Sequence, residues 1–519
     1  MTARLAKGIS TKQIGTAIPR ELSKGFSAIL AGLVAVAFLS GLMRSDARGI
    51  DLRVGEGVTD LRPPIGKELR RHPENPRYFM DAGQPVVFMG RYHADFICST
   101  DEHFTKDLSG YLKYLAEELN ANFTQVWAIM IFSGRKEAEY GVNTGGPLYM
   151  PFLRIGPGTN YYGEAKYDLT RSEPAYFARF HDFLRATRDR GIYVEITLFD
   201  ICGLKQGGNW YGAFDPRWSS NPFHPDNNIN DLGLPKDHAL GKDRFFNLKN
   251  AKLRAVQEAY VDHLLSELGG YGHVIFNVCN EYDGPFDWQE HWVRRIKARC
   301  PDRLLAVNNH DGKGVPSGIE HADVDLLNYH PGGGETVERS DASRWSHGRG
   351  RRAVAHYDVT RAILSDTDGY HPGEMGSDAD AEIRKFAWSC FVNGQHFADM
   401  SHAGRTDRLM HCPPLPTFRH ILPFVKQVDF IRAQPHPELL LDSDEGECLA
   451  QPGVEYVVYL RFGGRLRLNT SDSVRPLHGR WYNPRSGQWS QPFEVTPART
   501  SSLTCPDDKD WALHLKVKP

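Results

Sequence analysis

Val274-Ile-Phe-Asn-Val-Cys-Asn-Glu-Tyr282 decides the fold. Five residues of nearly continuous apolar character are too few for a helix. They carry the β-branched and aromatic side chains of a strand buried on both faces, the kind found in parallel sheets. Amphipathic helices flank the strand, over 252–268 before it and over 288–298 after it, and the second feeds a further apolar run, Leu304-Leu-Ala-Val307. Strand, helix, strand in this order predicts a parallel βαβ unit.

The same alternation extends in both directions. Strands are expected over 84–90, 123–130, 192–199, 274–278, 304–307, 324–329, 353–357 and 395–400. Helices are expected over 107–119, 173–190, 380–392 and 417–432, besides the two above. Eight strand-then-helix units predict an α/β fold, a (β/α)8 TIM barrel, with a doubly wound open sheet as the alternative. After residue 435 the period changes to two. Glu455-Tyr-Val-Val-Tyr-Leu-Arg461, Gly464-Arg-Leu-Arg-Leu-Asn469, the stretch around Arg480-Trp-Tyr482 and Trp511-Ala-Leu-His-Leu-Lys516 are separated by Gly, Asn, Pro and Ser. They predict a small all-β sandwich over 435–519 behind a barrel over 72–434.

Composition narrows the chemistry. In 519 residues, 62 Lys and Arg oppose 64 Asp and Glu, so no basic face is offered to nucleic acid. Residues 1–47 read as an export segment, with Arg4, Lys7, Lys12, Arg20 and Lys24 ahead of an apolar run over 26–43 and then Ser45-Asp-Ala47. A signal peptide and an uncleaved N-terminal membrane anchor both fit that pattern; either places the remainder outside the cytoplasm (periplasmic, cell-surface or secreted), with 48–71 as linker. No later segment is apolar enough to span a bilayer. The eight cysteines show no CxxC; Cys448 and Cys505 share a segment and could pair, while Cys279 lies within the apolar strand as a small hydrophobe.

A barrel presents its working groups at the C-terminal ends of its strands. There the chain offers Arg91 and His93, Trp127, Asp200, Asn280 and Glu281, Asn308 to His310, Tyr329 and His330, Asp358, and then His396, Asp399 and His402, with Glu374 in the loop after the seventh strand. Glu281 stands out, because an apolar strand ending in Asn-Glu sets a carboxylate at the rim of a low-dielectric pocket. Glycosidic cleavage needs such a group, plus a second carboxylate across the sugar.

Phe246-Asn-Leu-Lys-Asn250, Gln257-Glu-Ala-Tyr-Val261 and the stretch 274–282, together with Arg190-Gly-Ile-Tyr-Val-Glu195 and Phe199-Asp200, resemble the third- and fourth-strand region of cellulase-like glycoside hydrolases of clan A. The resemblance covers most of 72–434. It implies that Glu281 is the acid/base, Asn280 a substrate-binding partner, and Tyr329-His330 the sixth-strand site beside the nucleophile. For the second carboxylate it favours Glu374 of Gly373-Glu-Met-Gly376, ahead of an Arg-bearing helix; Asp358, at the end of the expected seventh strand, is the rival and would suit an inverting geometry. Arg91, His93, Trp127, Asp200, His310 and His396 are further candidates for holding a carbohydrate. The eighth strand departs from the clan, with His396-Phe397 where a Trp is usual. The C-terminal segment 450–487 is similar to the collagen-binding-type β-sandwich found behind such barrels, read here as a packing or carbohydrate-contacting module.

Two other readings use the same residues. A barrel that kept the cleft and lost the pair would bind carbohydrate without cleaving it. A metal-dependent hydrolase would use His93, His310, His330, His356, His396 and His402, but the chain has no His-x-His on its first strand and no HExxH, so no metal is expected. No glycine-rich phosphate loop opens a helix after a strand, which leaves no organic cofactor implied; Gly332 to Gly334 read as a turn.

Overall fold

The computed structural model describes residues 65–518, apart from 66–67, 93–96, 99–107, 130–148, 205–208, 211–212, 215–216, 238–243, 310–317, 319, 330–352, 354–355, 358, 368–378, 401–414 and 442–445. Eight parallel strands close into a barrel: β1 (Met89–Arg91), β2 (Phe123–Trp127), β3 (Tyr193–Asp200), β4 (Val274–Asn280), β5 (Leu304–Asn308), β6 (Leu326–Tyr329), β7 (Ala362–Asp366) and β8 (His396–Asp399). Strand β8 pairs with β1, so no open edge remains and the doubly wound sheet is ruled out. Strand β4 is buried throughout, as its nearly continuous apolar run requires.

Among the described residues, four long helices stand outside the barrel: α1 (Pro174–Arg188), α2 (Ala251–Leu268), α3 (Phe286–Arg299) and α4 (Ala379–Val392). Each start has a local reason. Pro174 occupies the first turn of α1, where its missing N–H costs nothing, and the Glu173 side chain accepts from Ala175 N. Asn250 caps α2 by accepting from Leu253 N at 3.1 Å. The face of α1 that meets the barrel carries Tyr176, Phe177, Phe180, Phe183 and Leu184.

Three sequence expectations need correction. The seventh strand is Ala362–Asp366, not 353–357. Both runs are short and apolar, but only the later one finds β6 and β8 as neighbours, with Ser365 opposite Tyr329 and Asp366 opposite Ala398. The first expected strand is split at Val87-Phe88, where the chain passes from one sheet to the next. Gln84–Val86 joins Arg70–Arg71 and Phe79–Asp81 in an antiparallel sheet, and the barrel strand starts at Met89. The helix expected over 417–432 is reduced to a 3-10 turn, Phe418–His420, and the short helix Ile421–Val425.

The small antiparallel sheet covers the N-terminal end of the barrel. Phe79 stacks on Phe88 at 4.8 Å and packs on His396 at 5.1 Å, the residues that precede β1 and begin β8.

The C-terminal region is all β. Gly446–Gln451, Glu455–Leu460, Trp511–Val517 and Leu477–Asn483 are successive neighbours in an antiparallel sheet, accompanied by the separate pair Arg465–Leu468 with Ser501–Thr504. One face of the sheet has its own core of Tyr456, Val458, Leu466, Leu468, Leu477, Leu513 and Leu515. From the other face, Val457, Tyr459, Tyr482 and Ala512 enter the core of the barrel region. There Tyr459 stacks on Trp388 of α4 at 5.5 Å, and Arg384 grips Asp510 through two hydrogen bonds of 2.9 and 3.1 Å. Cys448 and Cys505 are buried free thiols, not the pair the sequence allowed.

Candidate active site

The C-terminal ends of β3, β4 and β5 form one hydrogen-bonded wall. Asp200 ends β3 and Asn280 ends β4, directly opposite each other in register. Asn280 Nδ2 donates to Asp200 Oδ1 at 3.0 Å. The same Asp200 carboxylate turns the chain that follows it, accepting from Cys202 N at 3.0 Å and from Gly203 N at 3.1 Å, an Asx-type turn written in Asp200-Ile-Cys-Gly203. A 3-10 turn, Cys202–Leu204, results.

Glu281 follows β4 in a left-handed backbone conformation, φ +48°. For a residue with a Cβ that region costs roughly 1–2 kcal/mol, and such strain is retained where surrounding structure over-determines it. Here Asn308 at the end of β5 does so: its Oδ1 accepts from Glu281 N at 2.8 Å and its backbone carbonyl from Tyr282 N at 2.8 Å. On the side-chain end, the Cys202 thiol donates to Glu281 Oε2 at 3.1 Å. The carboxylate is thus placed from both neighbouring strands. Burial, with the Glu281 charge adding to it, pushes the Asp200 carboxyl up to about 6, against the pull of the Asn280 hydrogen bond.

Below this wall the barrel interior is polar. Asn277 Nδ2 donates to Glu195 Oε1 at 2.8 Å, Asn328 Nδ2 donates to the same oxygen at 2.5 Å, and Gln125 Nε2 donates to Thr197 Oγ1 at 2.7 Å.

The other sequence candidates are placed differently. Arg91 ends β1 but is turned to its neighbours, pairing with Asp399 Oδ2 at 3.3 Å and donating to the Tyr114 hydroxyl at 2.8 Å. Trp127 ends β2 as a buried ring packed against Tyr92 at 6.0 Å. Tyr329 ends β6, its ring edge-on to His356 at 5.6 Å. His396 is corrected outright. It begins β8, at the end of the barrel away from Glu281, where it accepts from Phe88 N at 2.8 Å and meets the Arg77 carbonyl at 3.0 Å. With no exposed surface it is a structural histidine, not a contact for sugar. His93, His310, His330, Asp358 and Glu374 lie outside the described residues.

Two residues of this end escaped the sequence reading. Asp366 is the carboxylate that ends β7; its signal, Ala362-Ile-Leu-Ser-Asp366, is the same apolar-run-then-acid pattern that marked β4, hidden by the competing run nine residues earlier. Cys202 had only the Asx pattern behind Asp200. Among the described residues, no three His, Cys, Asp or Glu side chains are gathered as a metal ion would need.

A family described as "Domain of unknown function (DUF6298)" matches residues 136–303, the segment that carries α1, β3, α2, β4 and the Asp200–Glu281 wall. The structure is similar to that of a glycoside hydrolase family 5 protein from Bacteroides vulgatus, at 12% identity over 87% of this chain and 93% of that one, TM-score 0.59. It is equally similar to a second protein described as a glycoside hydrolase, at 12% identity over 87% of this chain and 97% of that one, TM-score 0.60. At these identities the likeness establishes the barrel with its β domain. No curated protein sequence matches the chain.

Proposed function

We propose that the chain is an exported glycoside hydrolase that cleaves O-glycosidic bonds of a poly- or oligosaccharide with two carboxylates. One observation carries this reading: Glu281, held in a strained left-handed conformation at the mouth of the barrel, with Asn280, Asp200 and Asn308 fixing its surroundings. Strain at a barrel's C-terminal face marks a working residue, and a carboxylate there suits protonation of a leaving oxygen. The glycoside hydrolases that share the fold are consistent with it.

In the proposed reaction the Glu281 carboxyl proton passes to the glycosidic oxygen as its bond to C1 breaks. A second carboxylate attacks C1 from the opposite face and forms a glycosyl ester. Water then displaces that ester, giving its proton to Glu281. This retaining course needs the two carboxyl groups about 5–5.5 Å apart; a wider gap would admit water directly and invert. The second carboxylate comes from the end of β7 or the loop after it, where Asp366 competes with Glu374; Asp358 precedes β7 by four residues and loses the strand-end position for which it was a candidate. The N-terminal apolar run is the export element, as signal or anchor; no helix among the described residues is long and apolar enough to cross a membrane.

The test is hydrolysis of a panel of polysaccharides and aryl glycosides by the full chain beside Glu281→Gln. Turnover that collapses in the variant supports the reading. Sugar binding without turnover, unchanged in Glu281→Gln, would replace it with a carbohydrate-binding barrel.

A further inference from the structure

The thiol of Cys202 has no place in the two-carboxylate scheme, yet it touches the carboxylate on which the scheme depends. Its sulfur lies 3.1 Å from Glu281 Oε2, close for a thiol donor, and Cys202 itself is buried, 3% exposed. The sulfur is not there by accident of packing. Asp200 accepts the backbone N–H groups of both Cys202 and Gly203, and Asn221 Nδ2 donates to the Gly203 carbonyl at 2.9 Å, so the turn that carries the thiol is fixed at three points. Glu281 is meanwhile fixed through its own backbone by Asn308. Two independently anchored segments therefore bring one thiol to one carboxylate oxygen.

We propose that Cys202 is a positioning residue for Glu281: its S–H holds one carboxylate oxygen and favours the ionised form that the second half-reaction needs. The proposal rests on the hydrolase reading for its consequence but not for its existence. Among the described residues, Asp200 from β3 and Cys279 on β4 interact electrostatically with Glu281, while Arg217 of the short helix Arg217–Ser220 acts on Asp200 and Asp283, in the loop after β4, acts on Cys279. The thiol is a side-chain donor to the Glu281 carboxylate.

Two readouts test this on the full chain. In the infrared, the difference spectrum of wild type minus Cys202→Ala isolates one S–H stretch. It is expected at the lowered frequency of a thiol bonded to a carboxylate, and to return to the frequency of an unbonded thiol in Glu281→Ala, which removes the acceptor. That signal needs no substrate, so it stands or falls separately from the hydrolase reading. On any glycoside the chain cleaves, Cys202→Ala is expected to lower kcat about 3- to 10-fold, the loss of one hydrogen bond, with KM little changed. The alkaline limb of the kcat/KM profile should also move to higher pH, since a donor to the charged form has been removed. Cys202→Ser, which keeps a donor, should restore both. An S–H band indifferent to Glu281→Ala overturns the proposal. So does an alkaline limb unmoved in Cys202→Ala, or equal damage by Ala and Ser with a lowered melting point, which would make the thiol a packing group.

Discussion

At the N-terminal end of the barrel, His396 and His273 are buried with their charge suppressed, burial holding each imidazole down to about 3. At the C-terminal end, Asp200 is pushed the other way, up to about 6, beside Glu281 in a left-handed backbone. Both ends bury titratable groups, but their pH linkages have opposite signs. An imidazole whose folded pKa is depressed adds stability above its unfolded value of 6.5, and that stability is lost as pH falls toward about 3. A carboxyl whose folded pKa is raised favours the fold below its ordinary 3.8, and the contribution is lost as pH rises through about 6. Near neutral pH the lower end therefore carries no ionisation cost, while the ionised carboxyl of the upper end does. A scaffold end and a working end divide along that line.

The largest effect should come from the working end. Glu281→Gln is expected to cost on the order of 10²–10⁴ in turnover, the usual worth of a general acid, while the melting temperature stays near that of the wild type. Among Asp366→Asn, Glu374→Gln and Asp358→Asn, the variant of the true partner should fall by a similar factor in the same panel. Equal, small losses in all three would break the comparison by leaving the working end without a pair.

His396→Ala should do the reverse. It leaves Phe88 N without its acceptor and opens a cavity among Tyr78, Phe79 and Phe88, at a cost of roughly 3 kcal/mol in denaturant unfolding, with specific activity of the folded fraction unchanged. A loss of kcat in folded His396→Ala would mean that the two ends are not separate.

A smaller and pH-dependent effect is expected of Asp200→Asn. The variant lacks the buried carboxylate charge, so its stability relative to the wild type should rise as pH is raised from about 3.8 to about 6, followed by thermal melts across that range. A flat difference would show that Asp200 is not titrating there. The smallest effect is assigned to a chelator: activity should be unchanged after treatment, and a loss restored by a divalent ion would move the chemistry to the histidines.

Much of this division was legible in the sequence, for physical reasons that vary by element. Strand β4 and its Asn280-Glu281 terminus could be read because a fully buried parallel strand writes a continuous apolar run, and its first polar residues mark the rim. The C-terminal sheet was legible from period two, and α1 from its aromatic spacing and the Gly191 that follows it. Strand β7 was not, since 353–357 and 362–366 have the same local character and only pairing with β6 and β8 separates them. That misplacement carried the second carboxylate with it and hid Asp366. His396 failed differently: position on a strand was read, but not which end of the strand it occupies. The contact of Cys202 with Glu281 joins residues 79 apart and has no local signature at all.

Leaving-group dependence tests the central claim, that Glu281 is the acid, most directly. Wild type and Glu281→Gln would be compared on a phenyl glycoside and a dinitrophenyl glycoside of whichever sugar the panel identifies. The account predicts a large loss on the phenyl substrate, whose oxygen must be protonated to leave, and a much smaller loss of the glycosylation rate on the dinitrophenyl one, which departs unaided. The same loss on both, or no loss on either, would contradict it.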